Sequence, residues 1–351
     1  MLSITLQDLR YRWRQFVIAI VGAGLVFAMT LLLTGMAAGF SIEIDQTVQG
    51  VAAQDWVMAA GASGRITSMP PIAQSNVAAV AAEPGVRRAD PLIVSSQAAM
   101  VSGLTGAQSV NVIGAVPGGL GSPTPTTGHA VAGNDQMVVD SLLAVPVGGS
   151  VSVAGHAFRV VGKVTGRSMF GGTPDVYVTL KAAQVIFFGG RPLIGAVVTQ
   201  GRPASLAPGL GLHSSSEVEA ASLHQMAGAV SSINSSKGFM WLIAAIIVAA
   251  LIYVTALERT RDFAVLKALG SSSRLLFVGL AVQAVTITLL AAVAAAVISN
   301  FMTGLFAQPV DVPGSAFVVL PISAVIVGLL ASLAALRRAV SVDPAAAFAG
   351  A

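Results

Sequence analysis

The residues whose types and spacing best suit chemistry form a charged island, LERTRDFAVLKALGSSSRLL, at Leu257–Leu276. It separates two runs that carry no charge, Phe239–Ala256 and Leu275–Phe306. Phe263, Leu266 and Leu269 recur at helical spacing, Arg261, Asp262 and Lys267 take the other faces, and Gly270 with three serines behind it ends the turn. The chemistry on offer is recognition: apolar side chains to fill a groove, charges to set register. Arg259, Arg261, Lys267 and Arg274 outnumber Glu258 and Asp262. Basic excess in a short loop between spans marks the cytoplasmic side.

Bond-making chemistry has little support. The chain has no Gly-x-x-x-x-Gly-Lys-Ser/Thr pattern, so it offers no cradle for ATP. His129, His156, His213 and His224 lack metal-ligand spacing, and neither HExxH nor a nucleophile elbow occurs. With no cysteine, disulfides and thiolate metal sites are excluded. The predicted spans hold polar Thr255, Gln283, Thr286, Thr288 and Asn300 but no acidic or basic residue, which argues against a proton-coupled carrier.

The elements that must present the island are membrane helices. Over 351 residues the chain is 55% hydrophobic and 10% charged, with a mean hydropathy of +0.81. That is too apolar for an ordinary soluble protein. Arg10, Arg12 and Arg14, interleaved with Tyr11 and Trp13, precede an uncharged run at 16–40, too long for a cleavable signal and long enough to span. Further spans are expected at 238–257, 275–305 and 317–336, with Pro321 tolerated near a helix start. Asp311 without a basic neighbour marks 306–316 as an external loop, and Arg337 and Arg338 return the tail, 337–351, to the cytoplasm. The first 15 residues and the charged segment 258–274 face the same side. The formal charge of +4 sits mostly in these cytoplasmic pieces, so it reads as topology and not as a nucleic-acid surface. Gly35 and Gly39 form a small-xxx-small pair, a candidate dimer seam.

The fold class expected is a membrane α-helical protein of four transmembrane helices with a large extracytoplasmic α+β domain, 41–237, between helices 1 and 2. Ser41–Gln54 reads as a helical extension of the first span. Short strands are expected at Asp55–Met58, Ala98–Val101, Ser109–Ile113, Gln136–Val139, Ser150–Val153, Ala157–Val161 and Asp175–Val178, with a helix at Asn76–Ala82. Gly118–Gly128 and Arg167–Pro174 read as surface connectors, with Met169 and Phe170 exposed. Glu217–Lys237 reads as a stalk that enters the second span without a breaker.

The run Arg261-Asp-Phe-Ala-Val-Leu-Lys-Ala-Leu-Gly-Ser-Ser-Ser273 resembles the signature loop of the FtsX/MacB-like ABC transporter permeases. Asp262, Phe263 and Lys267 stand where Glu, Ile and Arg are usual. Looser likenesses to the family's MacB-like periplasmic core domain occur at Asn76–Val86, Ser109–Val116, Leu142–Val153, His156–Gly162 and Asp175–Leu180, and Val340–Phe348 is similar to its closing segment. The resemblance implies that Glu258, Arg259, Arg261, Asp262, Phe263, Leu266, Lys267, Ala268, Leu269 and Gly270 dock on a cytoplasmic ABC ATPase. ATP and Mg would be bound by that partner, and this chain would be a non-catalytic permease of the mechanotransmission kind. It further implies a bacterial plasma-membrane protein with both termini cytoplasmic, contacting membrane lipid and a second permease copy, identical or paralogous. The work implied is export of an amphiphile, peptide or lipid-like substrate; the alternative is regulation of an extracytoplasmic cell-wall hydrolase, an external protein partner. No nucleic acid is expected.

Overall fold

A computed structural model describes residues 13–103, 105–258, 273–303 and 310–340. Contacts divide the chain into two compact units. One combines Met1–Ala38 with Val230–Ala351 and the other is Gly39–Ala229.

The first unit is built from apolar helices. Helix α1 runs Trp13–Gly50, so the extension of the first span is helical but ends at Gly50 and not at Gln54. Stretches long and apolar enough to cross a membrane occupy Phe16–Gly50, Ala227–Val254 and Val278–Met302, and a shorter apolar helix covers Ala316–Leu330. Three candidate spans and one shorter apolar stretch, the first part of a 25-residue helix at Ala316–Val340, thus stand at the four places where spans are expected. The core of this unit joins Ala23, Phe27 and Leu31 to Ala244, Val248, Ile252, Ala284, Ala291, Leu320 and Ala324. Small residues let the helices approach. A Cβ on Gly24 would lie 3.2 Å from that of Ala294, and one on Gly328 would lie 2.9 Å from Thr288 Oγ1.

The second unit is the inserted α+β domain. Its elements are β1 (Asp55–Ala59), β2 (Ile72–Ala73), α2 (Asn76–Ala81), β3 (Arg88–Val101), β4 (Ala107–Ala115), β5 (Thr127–Gly128), β6 (Gln136–Asp140) and β7 (Ser150–Val153). They continue with β8 (His156–Val164), β9 (Ser168–Met169), β10 (Thr173–Thr179), α3 (Leu180–Phe188), β11 (Leu193–Ile194), β12 (Ala196–Gln200), β13 (Leu210–Ser214) and α4 (Ser215–Gln225). The main sheet orders β13-β1-β12-β3-β4-β10-β6-β8-β5, and β7 pairs with both β3 and β8. That second pairing closes β3, β4, β10, β6, β8 and β7 into a ring, a small barrel without free edges. Most ladders are antiparallel; β10 with β4 and β6 with β8 are parallel.

Side-chain alternation gives the central strands two buried faces. Val57, Val112, Val139, Val176 and Val178 enter one core, and Trp56, Met58, Ile113, Val138 and Tyr177 the other. The end of α1 covers the second core with Ile44 and Val48, spaced to keep one helical face inward, and Val51 just beyond the helix joins them. Burying each such side chain is worth about 1.5–3 kcal/mol.

Between the domain and the remaining helices the expected unbroken stalk is two helices. Helix α4 starts in a capping box, in which Ser214 accepts from the Glu217 amide and Glu217 accepts from the Ser214 amide. It ends at Met226, whose amide turns back onto Leu223 and His224, before α5 (Ala227–Glu258) begins. Two long helices complete the chain, α6 (Ser273–Met302) and α7 (Ala316–Val340).

Candidate functional site

The proposed docking segment is bracketed by helices: α5 ends at Glu258 and α6 begins at Ser273. Arg259, Arg261, Asp262, Phe263, Leu266, Lys267, Ala268, Leu269 and Gly270 lie outside the described residues.

Gly35 is buried against the chain itself. A Cβ there would come within 2.7 Å of Val310 Cγ1 and 2.9 Å of Val312 Cγ2. The close approach that this glycine permits is therefore used between α1 and the segment before α7. Gly39 is buried too. The exposed apolar stripe of α1 is a different one, Ile18, Val21, Leu25 and Met29.

A second constellation, not foreseen from the sequence, lies inside the domain where α1 meets the turn between β9 and β10. Phe170, Gly171 and Gly172 all have positive φ, at 57°, 83° and 87°. Successive residues in that region turn their amides inward and make a cradle for an anion. Glu43 fills it. Its Oε2 accepts from the Gly171 amide at 2.8 Å. Its Oε1 accepts from the Gly172 amide at 2.8 Å and from Ser168 Oγ at 3.1 Å. Only 3% of Glu43 is exposed. The 167–174 loop is thus no loose surface connector. Met169 is fully buried and Phe170 packs on the second core, because the turn must wrap the carboxylate.

One turn further along α1, Thr47 continues the contact. Its Oγ1 donates to Asp175 Oδ2 at 3.0 Å and lies 3.4 Å from the Ser168 carbonyl. Asn111 Nδ2 donates to Asp175 Oδ1 at 3.0 Å, and Ser96 Oγ donates to Asn111 Oδ1 at 2.7 Å. Burial pushes the Asp175 carboxyl up from 3.8 to about 7, against the hydrogen bonds from Asn111 and Thr47. Nearby, Asp140 accepts from the amides of Leu142 and Arg167, both at 2.8 Å. Burial raises its pKa, while those amides and the charges of Arg167 and Lys163 oppose the rise. The Arg167 guanidinium donates to the Gln46 carbonyl, closing the far side of the helix.

Nothing here makes or breaks a bond. The arrangement fixes the rotation and the height of a helix against a closed barrel. Among the described residues no group of His, Asp and Glu could hold a metal ion.

Comparison with known proteins places the chain in one permease family. Residues 236–344 match the family described as FtsX-like permease C-terminal. Uncharacterized ABC transporter permeases of Mycobacterium bovis and Mycobacterium tuberculosis are 39% identical over the full length of both chains. A second such permease of Mycobacterium tuberculosis is 37% identical, again end to end. Among solved structures, the periplasmic region of MacB from Actinobacillus actinomycetemcomitans is 14% identical with a TM-score of 0.36, covering 50% of this chain and 96% of that one. The extracellular domain of the transporter YknZ from Gram-positive bacteria is 16% identical with a TM-score of 0.32, covering 42% of this chain and 83% of that one. This chain belongs to the FtsX-like family of ABC transporter permeases, and is a non-catalytic membrane subunit of that transporter class.

Proposed function

We propose that this permease converts ATP hydrolysis by a separate cytoplasmic subunit into movement of its inserted domain, which lies outside the membrane. The segment 258–270 receives the ATPase; Phe263, Leu266 and Leu269 enter a groove on it, and Arg261, Asp262 and Lys267 set register. ATP and Mg stay with the partner. Two copies pair through their membrane helices, both termini are cytoplasmic, and the work done is extrusion of an amphiphile, peptide or lipid-like substrate at a bacterial plasma membrane.

The observation that carries this reading is α1. It is one helix from Trp13 to Gly50, apolar at its start and clamped by Glu43 and Thr47 at its end. Such a helix moves the domain when its apolar part moves, because the clamp leaves no slack in rotation.

The test is Leu266→Asp in the full chain, co-expressed with its ATPase. A carboxylate forced into a packed interface costs several kcal/mol unless it is paired, so retention of the ATPase should fall about tenfold or more. Undiminished retention together with undiminished substrate-dependent ATP hydrolysis would remove the docking role. A stable complex with an external hydrolase and no cargo would instead favour the regulatory reading.

A further inference from the structure

The unit of apolar helices contains a cavity of about 250 Å³ with an unusual lining. Lys237 of α5 meets hydroxyls from two other helices, Thr30 and Thr34 of α1 and Ser323 of α7, with Ser315 just before α7. No acidic residue lines it, and among the described residues Lys237 has no carboxylate partner. A lysine at the end of a span ordinarily reaches out to the headgroups. This one lines a cavity that it shares with four hydroxyls, a donor set that suits a single anionic group.

The hydroxyls are free to serve. Thr30, Thr34 and Ser323 donate to the carbonyls of Val26, Thr30 and Val319. Those carbonyls lie within helices, where the amide four residues on also bonds them. Turning a hydroxyl toward a ligand therefore strands no carbonyl.

Position and shape narrow the occupant. At about 1.5 Å per residue, Thr34 stands about 27 Å along α1 from Phe16, one hydrocarbon thickness from the start of the apolar run. Lys237 lies just before the uncharged run of α5, so both mark the same boundary. Trp241 lines the cavity and packs on Phe27 with ring centroids 5.3 Å apart, as suits an interfacial aromatic. The remaining wall is apolar, Leu31, Leu320 and Val319, and Val319 is 56% exposed, as is its neighbour Ile322 at 57%. The cavity thus opens sideways onto apolar surface. We propose that it holds the phosphodiester headgroup of an anionic phospholipid of the surrounding bilayer, with the phosphate on Lys237 and the hydroxyls and an acyl chain along Val319. The site is independent of what the inserted domain does, so it stands or falls apart from the transport reading.

The test is quenching of Trp241 fluorescence by lipids brominated in their acyl chains, in the full-length protein reconstituted in nanodiscs; Trp241→Phe isolates the signal. Brominated phosphatidylglycerol should quench at about one-fifth the mole fraction of brominated phosphatidylcholine, the preference set by one lysine at an anionic surface. Lys237→Gln should remove that preference and Lys237→Arg should keep it. Thr34→Val with Ser323→Ala leaves the charge in place and should weaken it. Equal quenching by both lipids in the parent protein would overturn the proposal. So would a preference that survives Lys237→Gln, or one that ignores the loss of the hydroxyls, which would mean diffuse surface attraction. Millimolar inorganic phosphate should leave the preference intact; its loss would assign the pocket to free phosphate.

Discussion

Replacing Glu43 by Gln tests the clamp with the least change of shape. The carboxylate accepts three hydrogen bonds, from the amides of Gly171 and Gly172 and from Ser168 Oγ. The side-chain amide keeps one acceptor oxygen and turns an NH2 group toward the other donor. If the oxygen stays on Gly172 and Ser168, the Gly171 amide loses its acceptor and faces another donor in a site that is 3% exposed. A buried polar group left unsatisfied costs about 1–3 kcal/mol, at the upper end when its lost partner carried charge. Glu43→Ala leaves all three donors without a protein acceptor and should cost more, about 3–5 kcal/mol. The assay is amide hydrogen exchange on the full chain in nanodiscs. Protection at Gly171 and Gly172 should fall by one to two orders of magnitude in Glu43→Gln, while protection at Val57 and Val112, in the other core, should hold. Unaltered exchange at the two glycines would show that the carboxylate does not hold the turn.

Three further outcomes follow from the same geometry. Asp175 is held protonated in the folded chain up to about pH 7 and ionises near 3.8 when exposed, so the folded state binds the extra proton between those values. Domain stability should therefore drop as pH rises from about 4 to 7 and level off above, by at most about 4 kcal/mol. Asp175→Asn should flatten that slope in a denaturation series, and a slope left unchanged would exonerate the residue. Gly35→Leu should destabilise the membrane unit by about 1–3 kcal/mol through overpacking against Val310 and Val312. Because the contact is within one chain, the loss should not depend on protein concentration; a loss that dilution deepens would restore Gly35 to a dimer seam. Since the natural chain has no cysteine, Leu25→Cys on the exposed stripe of α1 gives a unique crosslinking handle. It should join two copies under oxidation, and a chain that stays monomeric would remove α1 from the pairing surface.

The sequence shows most where a single local period decides the outcome. β1 and β7 are buried on alternating or paired faces within a few residues, and α2 is followed by Glu83-Pro84-Gly85, so these elements are visible locally. Strand β3 is visible only at its end, Ala98–Val101, because Arg88, Asp90 and Pro91 at its start read as a loop. Pro91 fits there because it is paired only with Val197 of β12, and the ladder with β4 begins one residue later at Leu92. Strand β12 is buried on both faces from Ala196 to Thr199 and shows no alternation, while α3 is too short for a helical period to emerge. The turn around Glu43 is the hardest case: its donors lie 125 to 129 residues downstream, and a glycine pair after Phe170 is locally an ordinary loop. The long separation leaves no pattern in the chain, only a pair of buried partners that meet after the barrel has closed.

The end of α1 meets the barrel through apolar and polar contacts, and the two kinds resist rotation differently. Ile44, Val48 and Val51 supply the greater part of the burial energy, yet apolar contacts are non-directional and a helix turned by one residue could repack them. One residue is about 100° of rotation, which carries Glu43 out of its cradle and Thr47 away from Asp175. Each of those losses strands buried donors or acceptors, so the polar contacts penalise rotation far more steeply than the apolar ones do.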